Sequence, residues 1–128
     1  MLRVGVDLVS VARIKEAVTR TPHLADRVYS TEELAYCRNR ANPYPSMAAR
    51  FAAREALRKL HPVFIQVCYQ DVAVEIEDSG RPRYRFSSSL QQKARAAGLI
   101  SIDLSLSHDG DQAVAVAVAE WKEDEIEQ

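Results

Sequence analysis

Short apolar runs and strict alternation divide the chain into strands, with helical spacing between them. RVGVDLV over residues 3–9 reads as a first strand. DVAVEIE, ISIDLSLS and QAVAVAVAE alternate at period two, so each predicts a half-buried strand. After Ser10, the residues Val11, Ile14 and Val18 fall on one face, which predicts a helix over roughly 11–20 with Ser10 as its cap. Ser30, followed three residues later by Glu33, has the form of a capping box leading into ELAYCRN. ANPYPS is a proline-bearing break, and Ser46 is expected to cap the strongest helix, MAARFAAREALRKL, which Pro62 ends. DSGRP is a turn, RYRF the returning strand, and SSSLQQKARAAG a helix with serine at its start and glycine at its stop. HDGD is the turn before the closing strand. This order predicts an α+β fold, with a small, meandering antiparallel sheet packed against a long central helix.

A length of 128 residues suits one domain, and an apolar fraction of 47% can bury a real core. The domain is assigned to residues 1–121, and the acidic end, 122–128, to a frayed tail. No apolar run approaches the roughly 20 residues of a membrane span. The opening MLRVGVDLVS lacks the pattern of a secretory signal, so the expected location is the cytoplasm. A net charge of −1 argues against a nucleic-acid partner held by bulk charge. Basic residues nevertheless gather mid-chain (Arg38, Arg40, Arg50, Arg54, Arg58 and Lys59), which suits an anionic ligand or an acidic partner, or simply solvated helix faces. Cys37 and Cys68 are too few and too far apart for a disulfide scaffold or zinc site, and read as free thiols.

A few residues could carry chemistry. Asp7 interrupts an apolar strand, where an ionised carboxylate is costly unless a cation, hydrogen bonds or solvent compensates it. It reads as a metal ligand or as a carboxylate capping a neighbouring helix. Glu55 shares a helix face with Phe51 and Lys59, four residues away on either side. Glu55 with Lys59 is an ordinary helix pair, yet carboxylates beside Lys and Arg are also the usual equipment for Mg²⁺ and a pyrophosphate. His108 ends an alternating strand and suits proton or phosphate work, or is a solvated turn residue. His23 and His61 have no such context.

Together, in order, GVDLVSVARI, RFAAREALRKL and LSLSHDG…AVAVAVAE resemble the holo-acyl-carrier-protein synthases over about residues 4–120, and DSGRPRY resembles that family's Gly-x-Pro hairpin. The resemblance implies a 4′-phosphopantetheinyl-transferase-like fold. It also implies transfer of 4′-phosphopantetheine from coenzyme A to a serine of an acyl carrier protein, releasing adenosine 3′,5′-bisphosphate. By similarity, Asp7 and Glu55 would bind Mg²⁺, and Lys59 would contact phosphate. Arg50 and His108 would lie at the coenzyme A and phosphate site, and Gly80 and Pro82 near the adenine. The general base would be Glu55 or a water on the ion. The family's trimer would set Asp7 and Glu55 against His108 of a neighbouring copy. Two positions depart from the family pattern. Arg54 stands where the family has lysine; it keeps a charge that could clamp phosphate with Arg58, but it cannot transfer a proton. LHPVFIQVCYQD lacks the family's Gly-Thr-Gly loop, so Val63, Phe64, Ile65 and Val67 are expected to pack inward in part instead of cradling phosphate. Those departures also suit a carrier-binding or regulatory module without transfer, or an enzyme turned to another carrier-bound substrate.

Overall fold

The longest helix lies across a three-stranded antiparallel sheet, and the computed structural model describes this arrangement for residues 1–123. The strand Leu2–Ser10 (β1) leads into the helix Val11–Arg20 (α1), followed by Leu24–Val28 (α2) and Thr31–Arg38 (α3). The central helix is Tyr44–Arg58 (α4). A hairpin, Val72–Ile76 (β2) with Pro82–Phe86 (β3), precedes the helix Ser88–Ala96 (α5). A second hairpin, Leu99–Asp109 (β4) with Gln112–Trp121 (β5), closes the described chain. Most of the acidic tail assigned to 122–128 lies outside the described residues. No described helix is long and apolar enough to cross a membrane.

The α+β class is as expected, but the single meander is not. There are two sheets, one ordered β1-β5-β4 and one of β2 with β3 alone. Alternation fixes which face of a strand is buried and leaves open which edges pair. Here β1 adds to the free edge of β5, from Leu2 opposite Glu120 to Ser10 opposite Gln112.

Local signals set most boundaries. Ser10 caps α1, and Asp111, from the last hairpin, reinforces it by accepting from Ser10 Oγ at 2.7 Å and from Ala12 N at 2.8 Å. Those two bonds, the serine's first, hold the Asp111 carboxyl below the usual carboxylate range. The capping box at Ser30 and Glu33 forms as expected. The start of α4 is a correction. The helix begins at Tyr44, with Pro45 in its first turn, so Ser46 is inside it and its hydroxyl accepts from Arg50 instead of capping. Proline fits there because the first turn's N–H groups have no helical partner.

The core is formed by the alanine-rich face of α4 against Ala113, Ala115, Ala117 and Ala119 of β5. Small residues on both elements bring helix and sheet close. They approach closely at Gly5 of β1, where a Cβ would lie 2.1 Å from the Ala56 carbonyl oxygen. That oxygen belongs to helix backbone and cannot swing away. Gly5→Ala is therefore expected to cost about 1–3 kcal/mol by forcing strand and helix apart. Urea denaturation checks this, and a midpoint equal to the parent's would sink the argument.

None of the described residues covers the other face of this sheet. Leu2, Val4, Val6 and Leu8 are 69%, 60%, 47% and 61% exposed. Val4, Val6 and Leu8 stand directly across from Val118, Val116 and Val114 of β5.

Candidate functional site

β1 and α4 meet so that Asp7 and the Glu55–Lys59 face of the helix come together. On β1, Arg3, Gly5, Asp7 and Val9 turn away from the uncovered face. Lys59 caps the C-terminus of α4, and its Nζ donates to the Val6 carbonyl at 2.6 Å and lies 3.3 Å from Asp7 Oδ1. Glu55 is one turn earlier on the same face. Among the described residues its Oε2 is buried with no hydrogen-bond partner, and the nearest cation is Arg58 Nη1 at 3.6 Å. A buried carboxylate oxygen without a donor is a costly group that a cation would satisfy. Glu55 Oε2 therefore suits a hard divalent ion that takes one or two carboxylates and leaves its other positions to water and phosphate, and Asp7, reached by Lys59 of the same helix face, is the second carboxylate at hand. Among the described residues no three His, Cys, Asp or Glu side chains gather as an all-protein metal cage, which such a site does not need.

Arg50 and His108 come together elsewhere. Both line a cavity of about 490 Å³ with Tyr36, Arg40, Asn42 and Ser46, between the start of α4 and the end of β4. His108 is exposed and pairs with Ala113 across the β4–β5 hairpin. Arg50 forms the floor: it is 2% exposed, stacks 4.5 Å from the Tyr36 ring centroid and donates to Ser46. Among the described residues no hydrogen bond links the His108 cavity to Asp7 or Glu55.

Arg54 is the main correction. It does not face solvent with Arg58 and Lys59, and the guanidinium is not placed to clamp a phosphate. It lies on the inner face of α4, 3% exposed, and forks onto the Glu33 carboxylate, with Nη1 3.0 Å from Oε2 and Nη2 on Oε1. Nη2 also donates to the Val72 carbonyl at 2.7 Å. The helical period accounts for this: Arg50 and Arg54, four apart, share one face, whereas Glu55 and Lys59 share another. Sequence reading treated Glu33 only as a capping residue. Its second role left no local signal, because its partner is 21 positions away.

Arg58 donates to the Ile65 carbonyl at 2.8 Å, tying α4 to the segment after it. That segment has two short 3-10 turns, Pro62–Phe64 and Tyr69–Asp71. Phe64 is fully buried and Val63 and Val67 partly so, while Ile65 points outward. His61 accepts from Val63 N at 3.0 Å and stacks on Trp121 at 4.3 Å. Burial, and secondarily the charge of Arg3, lowers its pKa. Gly80 has φ +91°, in the left-handed region that favours glycine, and turns the β2–β3 hairpin just before Pro82 opens β3. Cys37 and Cys68 are free thiols.

Against this geometry, the family model of the 4′-phosphopantetheinyl transferase superfamily matches residues 3–119. The chain is 40% identical over 121 residues to a holo-[acyl-carrier-protein] synthase of Moorella thermoacetica, covering 94% of both chains. It is 39% identical to one of Streptomyces avermitilis, covering 94% of this chain and 98% of that one. Among solved structures, an ACPS–CoA complex of Chronobacterium ammoniagenes superposes with TM-score 0.84 at 26% identity, covering 96% of this chain and 99% of that chain. A holo-[acyl-carrier-protein] synthase of Helicobacter pylori in complex with coenzyme A superposes with TM-score 0.76 at 25% identity, covering 92% and 100%.

Proposed function

Because the chain belongs to the 4′-phosphopantetheinyl transferase superfamily, we propose that it transfers 4′-phosphopantetheine from coenzyme A to a serine of an acyl carrier protein, releasing adenosine 3′,5′-bisphosphate. The observation that carries this reading is the unpartnered, buried Glu55 Oε2 on the helix face whose Lys59 reaches Asp7. Asp7 and Glu55 would hold Mg²⁺, which would supply charge stabilisation at the phosphate under attack and on the leaving group. Lys59 keeps a compact positive charge at the rim for phosphate oxygens. Arg50 and His108 line the neighbouring cavity, which suits a further anionic part of coenzyme A. Gly80 and Pro82 hold the hairpin proposed to approach the adenine. The segment after α4 has no glycine and buries Phe64, so its grip on coenzyme A comes from Arg58 and helix-borne groups more than from a backbone cradle. Intact-mass analysis of an apo acyl carrier protein incubated with coenzyme A, Mg²⁺ and this protein tests the reading. A gain of one phosphopantetheine is expected. An unchanged carrier mass would leave the alternative of a carrier-binding module.

The assembly proposed with this activity is a homotrimer in the cytoplasm, with sites shared between copies. Its support is the uncovered apolar face of β1 and β5, whose Leu2, Val4, Val6 and Leu8 are exposed in a single copy. A second support is that no hydrogen bond among the described residues links His108 to Asp7 or Glu55 within one chain, which leaves room for a neighbouring copy to complete the site. Light scattering is expected to give about three times 14.4 kDa. Val6→Glu places a charge in the middle of that face and should yield a smaller species with reduced transfer. A parent that is monomeric at micromolar concentration would sink the shared site.

A further inference from the structure

The geometry points to Glu33 as a positioning residue that aims Arg50 at the cavity it shares with His108. This rests on coenzyme A being the ligand. Glu33 is 2% exposed, and both its oxygens are committed. Oε1 accepts from Ser30 N at 2.9 Å and from Arg54, while Oε2 accepts from Arg54 Nη1 and from Val74 N, each at 3.0 Å. One carboxylate thus joins the start of α3, the middle of α4 and β2. Arg50 is the remaining member: its Nε lies 3.8 Å from Oε2, close enough for charge attraction but too far for a hydrogen bond, and among the described residues that Nε has no hydrogen-bond partner, while Nη1 donates to Ser46.

The charges do not cancel. Two guanidiniums face one carboxylate, which leaves one positive charge in a buried cluster. Arg54 takes the fork of Glu33, so the surplus sits on Arg50, at the floor of a cavity of about 490 Å³. A buried, half-satisfied cation is costly by itself and attractive to an anion that enters beside it. Glu33 makes the arrangement tolerable. Without its charge, Arg50 and Arg54, one turn apart on the same helix face, repel, and only the Tyr36 stack and the Ser46 hydrogen bond are left to hold Arg50 on the floor among the described residues.

The test is a double-mutant cycle between Glu33→Gln and Arg50→Ala, with coenzyme A binding measured by calorimetry and melting temperature recorded for every variant. Glu33→Gln is expected to weaken binding about tenfold, with a smaller loss of turnover. In the Arg50→Ala background it should weaken binding no further, although its cost in melting temperature remains. A purely structural Glu33 would lower the melting temperature, leave affinity in the folded fraction unchanged, and add to Arg50→Ala; that result overturns the inference. If Glu33→Gln does not fold, Arg50→Lys decides. It keeps the charge but loses the planar fork held between Tyr36 and Ser46. Binding as weak as in Arg50→Ala supports positioning, and parent-like binding overturns it. A parent that binds no coenzyme A refutes the ligand itself and this inference with it. Binding by the parent without coupling between the two sites refutes the inference alone.

Discussion

Arg54→Ala is expected to destabilise the protein by about 3–5 kcal/mol and to lower its melting temperature by more than 10 °C or so. The loss has little to do with attraction between exposed charges. Arg54 and Glu33 are 3% and 2% exposed, so each was stripped of water on folding and depends on the other for compensation. Removing the guanidinium leaves a buried carboxylate with two backbone donors, Ser30 N and Val74 N, and an arginine that does not reach hydrogen-bonding distance. It also frees the Val72 carbonyl and opens a cavity beneath the Tyr29 ring, which lies 5.5 Å from the guanidinium carbon. Arg54→Lys should fall in between, because an ammonium keeps the charge but not the fork. Thermal unfolding followed by circular dichroism checks the series. An Arg54→Ala variant that melts with the parent yet loses activity would favour a phosphate clamp instead.

Arg54 also shows where sequence reading stops. Local rules found Ser10, the Ser30–Glu33 capping box and the turns at Gly80 and Gly110, because each depends on residues within a few positions. Period-two alternation marks β2, β4 and β5, while β1 reads from its apolar run and β3 from the turn before it. What failed was long-range. The pairing of β1 with β5 joins the two ends of the described chain, and nothing in either strand alone specifies that edge. The Arg54–Glu33 fork joins α3 to α4, and helical periodicity gives only the face of each partner. Periodicity did carry a hint. Arg54 follows the Arg50, Ala53 and Leu57 side of α4, whereas Phe51, Glu55 and Lys59 form the other, so six mid-chain cations could not have made one solvated patch. The start of α4 failed for a different reason: Pro43 and Pro45 read as a break, although proline in a first turn is a helix start. Asp7 and Lys59 are each weak local signals, and they meet because β1 packs on α4 at Gly5, with Glu55 one turn along the same helix face.

Asp7→Asn and Glu55→Gln are each expected to reduce transfer at least about a thousandfold while leaving the fold in place. The two halves of this expectation rest on different observations. Among the described residues, the polar partner of the Asp7 side chain is Lys59 at 3.3 Å, a pair whose side chains are 20% and 53% exposed, so losing it should cost no more than about 1 kcal/mol. Glu55 is the sharper case. Its Oε2 is buried without a donor, so the isolated protein bears a desolvation cost there that an amide would reduce. Glu55→Gln should therefore melt at or slightly above the parent temperature while losing transfer. This combination marks a residue kept for chemistry at the expense of stability, in a way that loss of activity alone does not. The measurements are melting curves with and without Mg²⁺ and intact-mass assays across a magnesium series. Magnesium should raise the parent's melting temperature and leave both variants unmoved, because an ion that binds the folded form stabilises it in proportion to its affinity. Variants that still transfer with the parent's magnesium dependence would remove Asp7 and Glu55 from the site. A Glu55→Gln protein that melts well below the parent would show that the ion pair with Arg58, at 3.6 Å, outweighs this desolvation cost.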